Sequence, residues 1–302
     1  EDKLLGFAVS RDGRRIAFAG PGNDVEIWRP QGTARSVKLS GHTGEVGAVA
    51  FSPNGQIAAS VGVDNTVRLW DLDLGELIVT LVGHESWTAS VAFASDGRRL
   101  ASGSGDARVI VWDWPTALEV DHAGKGGRPL DWQECWEALA DDDAARAHLA
   151  IWTLAKSPEE SLALLAGKVA PTPPDRDRRA AIDQLIFELD DDRPSVRKAA
   201  VRGLENRLID AEAQMTAALA DADSLEVRHH LRTLLSAARP RTIRDPDRLR
   251  SLRVVQTLEH IGGPEARARL VELASGAAGD RLTEDARFAV ERLDQAARIR
   301  RE

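Results

Sequence analysis

Cysteine is nearly absent from this chain. Cys135 is the only one among 302 residues, so no disulfide can close within it and nothing in its chemistry calls for an oxidising compartment. Long apolar runs are missing too: no stretch of eighteen apolar residues could span a bilayer as a helix, and no cationic-then-apolar signal segment stands at the start. A soluble, cytoplasmic chain is the expectation, with an upstream membrane tether in a longer parent left open. Methionine is as scarce. The chain opens on Glu1 and holds only Met215, which suggests that an upstream part has been removed. Nor is there an excess of positive charge. Forty Lys and Arg against 48 Asp and Glu give a net charge of −8, which disfavours polyanion binding through overall charge but leaves local basic patches open.

Several chemical signatures are lacking as well. There is no Gly-x-x-x-x-Gly-Lys loop and no Gly-x-Gly-x-x-Gly after a strand, so nucleotide chemistry has no support. One cysteine and scattered histidines do not supply the three or four convergent ligands that zinc needs, and His229 and His230, being adjacent, point to different helix faces. The aspartate triplets at 141–143 and 190–192 lack the alternating acids and closing glutamate of a calcium loop and read as capped turns. No cofactor, metal or catalytic residue is expected.

What is present divides the chain in two. All eight tryptophans lie at or before Trp152, and the remainder is rich in Ala, Leu and Arg with apolar residues at helical spacing. A β half followed by an α half is the reading. Within the first half, Trp28, Trp70 and Trp112 stand 42 residues apart, and two of them open Trp70-Asp71 and Trp112-Asp113. Gly41-His42 maps onto Gly83-His84 at the same offset, Phe51 onto Phe93 and Asp64 onto Asp106. The turn pairs Asp12-Gly13, Asn54-Gly55 and Asp96-Gly97 are in register. From Val46 to Val82 the pattern predicts four short strands: one buried on both faces, a tight primed hairpin turn at Asn54-Gly55, then Gln56 to Gly62, Thr66 to Asp71 and Leu77 to Val82. Fixed periods of this length with such punctuation are propeller blades in sequence.

Residues 1–114 resemble the WD-repeat (WD40) propeller family. The resemblance implies a hydrogen-bonded network inside each blade, carried by His42, Ser60, Asp64 and Trp70 in one repeat and by His84, Ser102, Asp106 and Trp112 in the next. A buried indole N–H and imidazole need partners, because leaving one unpaired costs about 1–3 kcal/mol. The first repeat departs: Phe18 and Gly22 stand where Ser60 and Asp64 would, with Asn23 or Asp24 as substitutes. A His/Ser/Asp set also invites a hydrolase reading, but it recurs in two repeats and no Gly-x-Ser-x-Gly elbow accompanies it.

Three blades are too few to close a ring, since propellers have four to eight. The pattern stops after Trp114 with Pro115, one strand short. Further blades upstream are expected; alternatively Ala117 to His122 supplies a fourth strand locally. Residues 115–130, with Gly124, Gly126, Gly127 and Pro129, read as a linker, and 131–302 as an all-α domain. Ser157-Pro158-Glu159-Glu160 is a helix start with a capping-box acid, and Gly262-Gly263-Pro264 ends one helix and begins another. Short acidic turns followed by Val-Arg, best at 189–208 and 219–235, resemble bacterial HEAT-like repeats, which implies an α-solenoid stack. The fold class expected is therefore a partial WD40 β-propeller of about three blades followed by an all-α HEAT-like domain, an order similar to that of bacterial WD-repeat proteins.

The function this implies is non-enzymatic scaffolding, with the propeller face and the helical surface binding protein partners. Trp87, beyond a Gly-His-Glu-Ser turn, and Trp114, just past a strand, are candidate exposed anchors. Packing between blades is the competing reading for Trp87. Nucleic-acid or phosphate binding through the arginine run that contains Arg241, Arg244 and Arg248 is the second hypothesis, against solvated helix faces and ion pairs with neighbouring acids.

Overall fold

Eleven strands precede eleven α-helices among the residues that the computed structural model describes, 4–20, 22–30, 36–171, 176–237, 245–277 and 280–299. The strands form three antiparallel meanders. Blade 1 is β1 (Gly6–Val9), β2 (Ile16–Ala19), β3 (Asp24–Trp28) and β4 (Val37–Ser40). Blade 2 is β5 (Val46–Phe51), β6 (Ile57–Gly62), β7 (Thr66–Asp71) and β8 (Glu76–Val82). Blade 3 has only β9 (Thr88–Phe93), β10 (Arg99–Ser104) and β11 (Val109–Asp113). The blade 2 strands are those that the pattern predicts from Val46 to Val82, the other blades repeat them at the 42-residue offset, and together with the helices they make a partial β-propeller followed by a helical domain.

The turn between the first two strands of each blade differs from the expected primed hairpin. Gly13, Gly55 and Gly97 have φ of 70°, 71° and 67°, while Asp12, Asn54 and Asp96 are not among the residues at positive φ. Gly55 N–H donates to Ser52 O, and the repeats at Gly13 and Gly97 do the same three residues back. A primed turn needs positive φ at its first central residue, here the Asp or Asn, so these turns are not primed. The bond from Ser52 N–H to Ile57 O closes a four-residue loop, 53–56, with one left-handed glycine in it, and the other two blades repeat it.

Blade 3 ends where the sequence leaves its pattern, and a helix takes over. α1 (Trp114–Gly124) begins directly after β11: Asp113 accepts the Thr116 N–H as its N-cap, and Pro115 lies in the first turn, where a missing N–H costs nothing. The alternative of a strand at 117–122 is therefore not met. Much of the expected 115–130 linker is helical, leaving 125–131 as the irregular connection.

Ten further helices follow: α2 (Trp132–Ala138), α3 (Ala144–Lys156), α4 (Pro158–Leu165), α5 (Arg176–Phe187), α6 (Pro194–Glu205), α7 (Leu208–Asp221), α8 (Leu225–Ala237), α9 (Pro246–Ile261), α10 (Gly263–Ala274) and α11 (Arg281–Ile299). A full capping box forms at Asp131 and Glu134, whereas Ser157 occupies the N-cap of α4 without a side-chain bond. Asp143 caps α3, so part of the first aspartate triplet does serve a capped turn. Gly262, at φ 62°, ends α9 in a conformation open to glycine, and α10 starts at the next residue.

Two apolar cores divide the helices. One joins α2, α3 and α4 to α9, α10 and α11 through Ile151, Leu154, Val255, Leu258 and Leu270. The other belongs to α5 through α8, around Leu189, Leu204, Met215 and Leu231. Since α9 returns to pack on α3, the helices do not follow one another as a single series of neighbours. A third core welds the halves: Val79 and Leu81 of β8, Trp114 and Leu118 of α1, Leu149 and Trp152 of α3, and Leu249 and Leu252 of α9 are all buried in one cluster.

Candidate functional site

In blade 2 the expected network is closed. The His42 Nδ1 lies 2.9 Å from Asp64 Oδ2, its Nε2 2.7 Å from Ser60 Oγ, and the Trp70 indole N–H donates to that same Oγ at 2.8 Å. Asp64 also accepts Thr43 N–H, Thr66 N–H and the Thr66 hydroxyl. Burial works against ionisation of Asp64, yet these donors and His42 outweigh it and hold the carboxyl below its usual range. His42 is lowered too, because loss of hydration outweighs the attraction of Asp64. A neutral imidazole that donates from Nδ1 and accepts the Ser60 hydroxyl at Nε2 satisfies every group.

Blade 3 repeats the geometry. His84 Nδ1 stands 2.9 Å from Asp106 Oδ2 and Nε2 2.8 Å from Ser102 Oγ, which accepts the Trp112 N–H at 2.8 Å. Backbone N–H groups of Glu85 and Arg108 complete the Asp106 carboxylate. In both blades the serine is buried and its oxygen is committed as acceptor to tryptophan and donor to histidine. Such a hydroxyl has no free approach for a substrate. Blade 1 has Phe18 and Gly22 at the matching positions, and Trp28 is 39% exposed rather than enclosed.

The strand order places two kinds of loop at opposite ends of the blades. At one end lie the turns at Gly13, Gly55 and Gly97 and the Asp71–Gly75 turn, and here the helices dock. Trp114 is fully buried, its indole N–H donating to Gly97 O at 2.9 Å, so it is no exposed anchor; the expectation failed because α1 folds the ring back under the blade. Asp71 Oδ2 lies 3.1 Å from His148 Nε2 and 3.7 Å from the Arg253 guanidinium, all three side chains being nearly inaccessible. Burial opposes the charge on Asp71, but His148 and Arg253, with the Leu74 N–H, bring its pKa down to about 2. Arg253 also donates to the carbonyls of Leu139 and Asp141. Trp152 lies between Trp114 and His260, whose ring centroid is 4.1 Å away. Burial, then the nearby His148 and Arg292, push His260 down to about 3.

None of this seam was read from the sequence. Asp71 carried a signal, as the acid of a Trp-Asp pair, but His148 and Arg253 sit 77 residues or more further on, within helices whose local pattern says nothing of a blade.

The opposite end of the blades carries the loops before β5 and β9 and the turns after β6 and β10. Trp87 stands here, 53% exposed. Its backbone is held: the Ser104 hydroxyl donates to Ser86 O or Trp87 O, and Gly105 N–H donates to Trp87 O at 2.9 Å. The indole lies against Gly105, where an added Cβ would come within 2.4 Å of Trp87 Nε1. Val63, at the matching turn of blade 2, is also exposed, and an Arg108–Glu85 ion pair flanks Trp87.

Of the arginine run, Arg241 and Arg244 lie outside the described residues. Arg248 is in the first turn of α9, its N–H bound to the N-cap Asp245. Two further arginines of α9 are engaged by the fold itself: Arg250 packs over the Trp136 ring and bonds the exposed Asp247, and Arg253 is buried in the seam.

Among the described residues no helix is long and apolar enough to cross a membrane. Residues 34–71 and 75–113 each match the family model described as WD domain, G-beta repeat. Comparison with curated proteins gives no match.

Proposed function

We propose that the chain is a non-enzymatic scaffold whose open blade end binds a protein partner in the cytoplasm, with Trp87 as the anchor. The observation that carries this reading is the pairing of exposure with restraint at Trp87. An indole fixed by Gly105 and by a backbone clamped to Ser104 loses little freedom on binding, and aromatic side chains presented in this way dominate interface energies. The helices occupy the other blade end, so partners approach from the Trp87 and Val63 side. The His42 and His84 networks are the internal supports of that surface, and α5 through α8, read as HEAT-like pairs, offer a second binding surface.

The chemistry available argues in the same direction. Both network serines are buried and doubly hydrogen-bonded, and Cys135 is buried with its thiol pushed up to about 11 by burial and the nearby Asp131 and Glu134, which keeps it protonated and unreactive.

Affinity capture with the intact chain and with Trp87→Ala tests the reading. A partner held by the former and reduced at least about tenfold by the latter is the expected result. Partners retained equally by both baits, or none with either, would overturn it.

A further inference from the structure

Trp87 has a counterpart in blade 2, and that counterpart is an acid. Gly105 N–H donates to Trp87 O at 2.9 Å as Val63 N–H donates to Glu45 O at 3.0 Å, so Glu45 and Trp87, 42 positions apart, stand alike just before the first strands of adjacent blades. Those strands touch here. A Cβ added to Gly47 would lie 3.4 Å from Thr88 O, which makes Glu45 a neighbour of Trp87 across the junction, and Glu45 is exposed. Glu85, two residues before the indole, has a side chain that is 78% exposed.

The indole is turned so that one ring is covered and the other presented. The atoms nearest to the place of a Gly105 Cβ are Trp87 Nε1, Cε2 and Cδ1, all of the five-membered ring. The six-membered ring extends away from Gly105, and its face carries the negative lobe of the aromatic quadrupole. Charge around it has the same sign. Arg68 pairs with Asp64 at 3.7 Å in blade 2, and Arg108 pairs with Glu85 at 2.7 Å and with Asp106 at 3.7 Å in blade 3. With Glu45, these are four carboxylates against two guanidiniums.

An apolar anchor from a partner would cover Trp87 but strip water from Glu45 and Glu85 without replacing it, and an acidic one would be repelled. A cation answers both features. We infer that the segment bound at this end is basic, with a cationic side chain laid on the six-membered ring of Trp87 between Glu85 and Glu45. Arginine is a better fit than lysine, because its planar guanidinium stacks on an aromatic face while its edge N–H groups donate to carboxylates. Arg108 already does part of this for Glu85 and is an internal competitor for that carboxylate. The inference rests on Trp87 as the anchor and adds the charge of what it holds.

Selection of displayed random short peptides on the intact chain tests it, the winning peptides then being synthesised and titrated by fluorescence anisotropy. Arginine, with some lysine, should be enriched at one position, and binding should weaken as salt is raised. Trp87→Ala, Trp87→Leu, which keeps apolar bulk without a π face, and the paired Glu45→Gln and Glu85→Gln should each reduce affinity at least about tenfold with melting unchanged. Arg108→Ala, which releases Glu85, should raise affinity about threefold. Winning peptides that need Trp87 but are apolar or acidic would overturn the inference and leave Trp87 as the anchor. Basic peptides that keep their affinity in Trp87→Leu or in the paired glutamine variant, or that lose it in Arg108→Ala, would overturn it too. Peptides indifferent to Trp87→Ala, or none selected, would overturn both the charge and the anchor.

Discussion

Asp71 Oδ2 and His148 Nε2 lie 3.1 Å apart across the seam between blade 2 and α3, with the Arg253 guanidinium 3.7 Å from the same oxygen. The acid of the blade 2 Trp-Asp pair thus belongs to the contact between the halves. Its equivalent in blade 3, Asp113, is 40% exposed and caps α1 instead.

Asp71→Asn leaves Arg253 buried without its countercharge and should cost about 3–5 kcal/mol in denaturant unfolding. Asp113→Asn weakens a helix cap and a surface pair and should cost about 1 kcal/mol. Equal losses would contradict the assignment of Asp71 to the seam.

Acid should weaken the fold in two stages. His260 has its folded pKa lowered to about 3, below the ordinary 6.5, so the stability tied to its neutral form is complete above 6.5 and is lost as pH falls through that interval. Asp71, lowered to about 2 from 3.8, contributes fully above 3.8 and loses its share below. Melting temperature followed from pH 7 downward should therefore begin to fall near 6.5. His260→Gln should flatten the first stage, with a residual slope from His42, and leave the second. An unchanged profile in that variant would assign the first stage elsewhere.

The blades were legible because their signal is local and repeated. Trp70, Asp64 and the glycine after each hairpin turn recur at a constant offset, and a blade buries most of its residues against strands adjacent in sequence. The His42 and His84 networks followed from the same recurrence. Trp114 was misread because α1 turns its ring back under the blade, where Trp152 of α3 covers it, and the turn type was misread because Asn54-Gly55 is compatible with more than one backbone. The seam was invisible for a related reason: His148 and Arg253 differ from surface residues only in what packs over them.

Ser60→Ala removes the acceptor of the Trp70 N–H and the donor to His42. It should cost about 1–3 kcal/mol, and Trp70→Phe should cost less in that background than alone, by about 0.5–3 kcal/mol of coupling. Additive losses in the double-mutant cycle would show that the three groups do not act as one network.

Ala107 sits at φ 64°, where Asn65 stands in blade 2 at φ 62°. A Cβ is disfavoured there, so Ala107→Gly should raise stability by about 0.5–1 kcal/mol, the relief of strain being partly offset by the entropy of the unfolded chain. Chemical denaturation measures it, and a loss would contradict the strain.

The separation of 77 positions from Asp71 to His148 also sets an order of events during synthesis. When blade 2 has left the ribosome its carboxylate is still hydrated, with α3 and then α9 yet to be made, and the meander must hold without the charges that will later enclose it. Docking of the helices is thus a late, dehydrating step, and any interruption of translation before Arg253 leaves the blades with a polar gap where the seam would be.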